Sequence, residues 1–141
     1  GIKYTFESLY EYNRCRRYAN GKFDMLHGQD ETILPCLAMG GAQGGIGGTT
    51  NYNGKCLSEI ITAWQAGDLE RARELQEFSQ DVIDVICHYR GNIVCGKRIM
   101  KLIGLDLGKN RTPFQNMTDE EEAACRKELE DINFFERCNK L

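Results

Sequence analysis

Three short strand-like runs, each leading through a turn into a helical stretch, constrain this chain more than any other feature of it. The first is Gly1-Ile2-Lys3-Tyr4-Thr5. The second, Lys22 to His27, ends at Gly28-Gln29-Asp30-Glu31, where Gly28 comes 25 residues after Lys3. The third, Ala42 to Gly48, includes the run Gly44-Gly45-Ile46-Gly47-Gly48-Thr49-Thr50, which begins 16 residues after Gly28. This is the rhythm of successive βα units, in which the loops after the strands gather functional residues on one face. It predicts an α/β fold with parallel pairing.

The helical stretches have local signals. Glu7 to Ala19 carries Leu9, Tyr12, Cys15 and Ala19 on one face and stops at Asn20-Gly21. Asp30 can cap the next helix, with Ile33, Leu34, Leu37 and Ala38 inward, and Met39-Gly40-Gly41 ends it. Cys56, Leu57, Ile60, Ile61 and Trp64 form an amphipathic stripe that ends at Gly67. From Asp68, a cap, the pattern is purely helical, and Leu69, Ala72, Leu75, Phe78, Val82, Val85, Ile86 and Tyr89 read as core. Arg90-Gly91-Asn92 breaks that stripe, a helix follows over about Cys95 to Ile103, and 104–113 is a loop. Thr118-x-x-Glu121 is a capping box that opens a last acidic helix reaching about Ile132. The chain thus divides into 1–67, three βα units, and 68–141, a helical extension packed on them.

Composition excludes more than it identifies. A chain of 141 residues with 41% apolar and 28% charged residues suits one globular domain. A net charge of −3 gives no basic footprint for nucleic acid. No apolar run reaches the roughly 18 residues of a membrane span. The seven cysteines include no C-x-x-C pair, which fits neither a zinc site nor a disulfide framework and predicts reduced, mostly buried thiols in a cytoplasmic protein. His27 and His88 have no ligand-type residue at metal spacing, so no metal site is expected. The glycine run completes neither G-x-x-x-x-G-K-[ST] nor G-x-G-x-x-G. It marks instead a place where backbone approaches a neighbouring strand or a ligand closely.

Lys3 is the residue with chemistry to offer. A lysine moved partly out of water gives up its proton more readily, and the free amine can attack a ketone to form a Schiff base.

Taken together, Lys3, Thr5, Gly28, Asp30, Glu31 and the Gly45-Ile46-Gly47-Gly48-Thr49 run resemble the N-acetylneuraminate lyases, the sialic acid aldolases of the dihydrodipicolinate synthase superfamily. The pattern G-[IV]-K-x-T is matched by Gly1 to Thr5, and the lyases' G-x-D-E by Gly28 to Glu31. The Gly67-Asp68 junction and the Arg111-Thr112-Pro113-Phe114 loop extend the resemblance over essentially the whole chain. It implies a (β/α)8 barrel of which these residues supply the C-terminal part, strands six to eight plus C-terminal helices. Lys3 is then the catalytic Schiff-base lysine, and no cofactor beyond that covalent link to pyruvate is implied. Thr5, Gly28, Asp30, Glu31 and Gly48 become substrate-binding positions, with the two acids taking hydroxyls of the sugar tail. Lyases of this family commonly have Ser where this sequence has Gly48. The family's pyruvate-carboxylate motif and proton-relay Tyr lie on earlier strands.

The resemblance further implies sialic acid and pyruvate as small-molecule substrates, a homo-oligomer (a tetramer), and neither nucleic acid nor membrane as partner. A 2-keto-3-deoxy sugar acid aldolase, a dihydrodipicolinate synthase-like enzyme and a non-catalytic half-barrel are the alternatives. Three strands cannot close a barrel, which takes about 250 residues. The expectation is therefore a missing N-terminal half packed against the strands at Lys3 and Gly45.

Overall fold

A computed structural model describes residues 1–40 and 44–140. Strand β1 (Ile2–Tyr4) pairs in parallel with β2 (Met25–His27), in the register Ile2 with Met25, Lys3 with Leu26 and Tyr4 with His27. Of the third strand expected over Ala42 to Gly48, Ala42 and Gln43 lie outside the described residues, as does Gly41. Within the rest, Gly45 makes an isolated parallel bridge to His27. Glycines have no side chain to pack and lose the most freedom when extended, so a run of them supports one bridge better than a ladder.

Helix α1 (Leu9–Arg17) connects β1 to β2 and is capped by the Ser8 hydroxyl, which accepts from the Glu11 amide at 3.2 Å. It ends in a 3-10 turn whose Ala19, Asn20 and Gly21 all have positive φ. Only part of its expected inner face is inside: Tyr12 is fully buried and Leu9 packs beside it, but Cys15 and Ala19 are exposed. Helix α2 (Ile33–Ala38) buries Ile33 and Cys36 and leaves Ala38 outside. Helix α3 (Thr50–Gln65) starts well before its apolar stripe, and Tyr52 and Asn53 are buried in its first turn. Gly67, at φ 77°, ends it and leads into the Asp68 cap of α4 (Leu69–His88), whose carboxylate accepts from the Arg71 amide at 3.0 Å.

Of the α4 stripe, Leu69 is exposed and the remaining positions are buried. The break at Arg90 has a left-handed backbone, and α5 (Gly91–Leu102) follows at once. Helix α6 (Asp119–Asp131) opens on the expected capping box, and Phe134–Arg137 adds a short α7 that periodicity did not reveal. One apolar cluster runs from Ile33 through α3, α4, α5 and α6 to Cys138. A second, smaller one joins Tyr12, Met25 and Cys36. Five cysteines are buried; Cys15 and Cys87 are exposed.

Gln76 of α4 ties the loop after β2 to this core. Its Nε2 donates to the Asp30 carbonyl at 3.0 Å, and its Oε1 accepts from the Leu34 amide at 2.9 Å. Gln76→Ala would leave two backbone groups without partners beneath that loop. We expect a loss of about 1–3 kcal/mol in stability, read as a lower urea midpoint at unchanged slope.

Candidate active site at the strand ends

The loops after β1 and β2 converge on Gly28. Its amide donates to the Tyr4 carbonyl at 2.8 Å, extending the parallel pairing one residue beyond the strands. A Cβ built on Gly28 would overlap the Thr5 hydroxyl and stand 3.0 Å from Lys3 Cε. Glycine is therefore required there by close approach, and it draws Lys3 and Thr5 over one point. Both side chains are exposed. Lys3 has no ion pair and no hydrogen bond among the described residues.

Asp30 lies deeper, at 3% exposure. It does not cap its own helix, as the sequence suggested. Residues Asp30–Thr32 form a 3-10 turn with no side-chain cap. Its Oδ2 reaches across to the next loop instead, where it accepts from the Thr49 amide at 2.9 Å and from the Thr49 hydroxyl. Thr49 immediately precedes α3, so the carboxylate fixes the start of that helix. Oδ1 is buried without a partner. Gly47 lies against the carboxylate so closely that any Cβ there would overlap it. Burial raises the Asp30 pKa, opposed by the two Thr49 hydrogen bonds; Glu31 adds to the rise and the Lys3 charge works against it.

Glu31 is half-buried, with Gln29 Nε2 donating to its Oε1 at 3.4 Å. Gln80 of α4 donates to its carbonyl at 2.9 Å. His27, the last residue of β2, is buried with Nε2 2.7 Å from the Thr32 hydroxyl and Nδ1 unpartnered. Burial holds its pKa below the ordinary histidine value. His88 is far from this region in role: its Nδ1 is 2.8 Å from Glu128 Oε2. Among the described residues no three His, Cys, Asp or Glu side chains are grouped so as to hold a metal.

Gly48 is exposed, and its missing side chain has been replaced from elsewhere. The carboxamide of Asn92, in the first turn of α5, occupies the space a Cβ at 48 would need. Asn92 Oδ1 accepts from the buried Tyr52 hydroxyl at 2.7 Å. So five of the six expected residues fall into two neighbouring groups. Lys3, Thr5 and Gly28 are in contact, and Asp30 with Glu31 begins two residues beyond Gly28. Gly48 joins through Thr49. Thr49 belongs to the glycine-rich run, but its bond to Asp30 has no sequence signal, and no motif or period marks Gln76, Gln80, Tyr52 or Asn92 as part of the site, since each acts across the chain.

A comparison with known proteins fits this arrangement. Residues 1–132 match the dihydrodipicolinate synthetase family, and the chain belongs to it. It is 39% identical over 124 residues to N-acetylneuraminate lyase of Lactiplantibacillus plantarum, covering 87% of this chain and 41% of that protein. It is 32% identical over 137 residues to the Mus musculus N-acetylneuraminate lyase, covering 96% and 42%. The solved Proteus mirabilis N-acetylneuraminate lyase superposes with a TM-score of 0.88 at 33% identity, over 95% of this chain and 45% of that one. The chain thus spans about two fifths of the length of the curated relatives it matches.

The raised pKa of Asp30 has a definite sign. The folded state holds that proton more tightly than the unfolded one. Its contribution is therefore greatest below the unfolded value of about 3.9, and it is lost as pH rises through the higher folded value. Urea midpoints of the parent protein should accordingly fall relative to Asp30→Asn as pH rises from about 4; a parent midpoint that rises relative to the variant over that range contradicts the assignment.

Proposed function

We propose that residues 1–141 supply the last three βα units and the C-terminal helices of a (β/α)8 Schiff-base aldolase that splits N-acetylneuraminate into pyruvate and N-acetylmannosamine. The observation that carries this reading is the crowding of Lys3 and Thr5 over Gly28, next to the buried Asp30. Membership of the dihydrodipicolinate synthetase family and the likeness to N-acetylneuraminate lyases support it.

The chemistry follows from the residue types. The neutral amine of Lys3 adds to the C2 carbonyl of pyruvate, and loss of water leaves a cationic iminium. The iminium draws electrons, so a proton leaves C3 and an enamine forms. Its C3 attacks the aldehyde carbon of N-acetylmannosamine and makes the new carbon–carbon bond. The aldehyde oxygen takes up a proton, and water then releases the product from Lys3. Cleavage runs the same steps backwards. Thr5, on the same face of the extended chain as Lys3, can hydrogen-bond the sugar near the reacting carbon. Asp30 Oδ1 and Glu31 accept hydroxyls of the tail as charge-assisted bonds. The link to pyruvate is covalent, and the proposal adds no cofactor.

The rest of the barrel, with the groups for the pyruvate carboxylate and the proton relay, comes in this proposal from residues beyond these 141. Strands packed on β1 would take Lys3 out of water. Family likeness extends the proposal to a homotetramer in the cytoplasm, where the cysteines stay reduced.

Borohydride reduction in the presence of pyruvate tests the proposal. Peptide mass spectrometry of the assembled protein should find a reduced pyruvyl adduct on Lys3 and nowhere else. Lys3→Arg should abolish it, because a guanidinium stays protonated. An adduct on Lys22 or Lys97, or none, overturns the mechanism.

A further inference from the structure

A polyol tail poses a recognition problem that carboxylates solve only in part. Each hydroxyl carries one hydrogen to donate and two lone pairs to receive. Ionised Asp30 and Glu31 can only accept. The groups around them that could donate are largely committed: the Thr49 amide and hydroxyl to Asp30, Gln76 Nε2 to the Asp30 carbonyl, Gln80 Nε2 to the Glu31 carbonyl. Asn51 Nδ2 donates to the Gly48 carbonyl at 3.1 Å.

Asn92 differs. Its carboxamide lies between two glycines, filling the Cβ space of Gly48 on one side and standing 2.9 Å from the Cβ position of Gly96 on the other. The Tyr52 hydroxyl, on a ring only 1% exposed, fixes its Oδ1. That bond turns Nδ2 toward Gly48, one residue from the Thr49–Asp30 contact. Among the described residues Nδ2 has no hydrogen-bond partner, and Asn92 itself is only half-buried.

Resting on the aldolase reading above, we propose that Asn92 is a specificity-determining residue of the site: its Nδ2 donates to a hydroxyl oxygen of the substrate's polyol tail, beside the carboxylates that accept from the same tail. Gly48 is glycine so that this amide, delivered from α5, can stand where a side chain of the loop would otherwise be. Tyr52 and Gly96 hold it in that place.

The test is a pair of substitutions in the assembled protein. Asn92→Asp keeps the oxygen that Tyr52 holds and the packing between the glycines, but exchanges the donor for an acceptor. With pyruvate as donor substrate, its KM for N-acetylmannosamine should rise roughly tenfold, the loss expected for one such hydrogen bond. The KM for glycolaldehyde, which has no tail, should stay unchanged, as should the borohydride adduct on Lys3 and the thermal midpoint. Gly48→Ala, which pushes the amide aside, should raise the same KM, and the double variant should show less than the sum of the two effects. Equal changes for the two aldehydes, or no change for N-acetylmannosamine, overturn the role of Asn92 while leaving the Lys3 adduct in place. Absence of the adduct in the unsubstituted protein overturns the aldolase reading and this inference with it.

Discussion

A buried carboxylate holds this structure together at the point where it can act. Asp30 has left water almost completely, and a charge in that position needs hydrogen-bond donors. Thr49 supplies two, from its amide and its hydroxyl, and with them the loop after β2 is joined to the start of α3. Bonds to an ionised acceptor are roughly twice as strong as neutral ones. The glycine at 47 follows from the same contact, because nothing larger fits against the carboxylate. Positions of Gly48, Tyr52 and hence Asn92 all descend from where Thr49 starts its helix.

The helices that follow are part of the site as well as of the core. Gln76 and Gln80 lie one turn apart on α4 and hold the backbone carbonyls of Asp30 and Glu31 in turn. The two neighbouring acids are thereby braced through their backbone by amides that carry no charge. Further along, Arg90 turns α4 into α5 and is tied to the capping box of α6: Glu121 accepts from both Arg90 Nη1 at 3.0 Å and the Thr118 amide at 2.8 Å. The corner that presents Asn92 is thus anchored to a helix that never approaches Lys3 in sequence.

What the sequence made legible was local. The first two strand runs, the Asp68 cap, the Thr118 box and the stop at Gly67 each depend on residues within a few positions, and each lies where expected. Asp30 was misread for the same reason. An acid before a helical run suits a cap, and only the fold reveals a better donor nineteen positions on, at Thr49. The glycine run could be read as close approach, but not as approach to what: Gly47 meets a carboxylate and Gly48 a carboxamide from another helix. Cys15 kept the helical period of α1 without the burial, and Ala19 falls in the turn at Tyr18–Gly21, where the helix has already ended. Lys3 stood out through its motif; its exposure and its contact with Gly28 belong to the three-dimensional structure.

The two apolar clusters are unequal, and that inequality sets a gradient of mechanical firmness along the chain. The helices from α3 onward share one extensive interior, whereas β1 and α1 rest on Tyr12, Met25 and Cys36, with the Tyr12 hydroxyl clasping the Met25 carbonyl at 2.9 Å. Local opening takes least free energy where few apolar contacts must separate. Amide protons of β1 should therefore exchange ahead of those in α4. Lys3 thus lies on the softer end, while Asp30 and Glu31 are mounted on the rigid one. In the proposed aldolase the aim of Lys3 would accordingly be set by the strands that pack against β1, and recognition could stay sharp while the amine still moves.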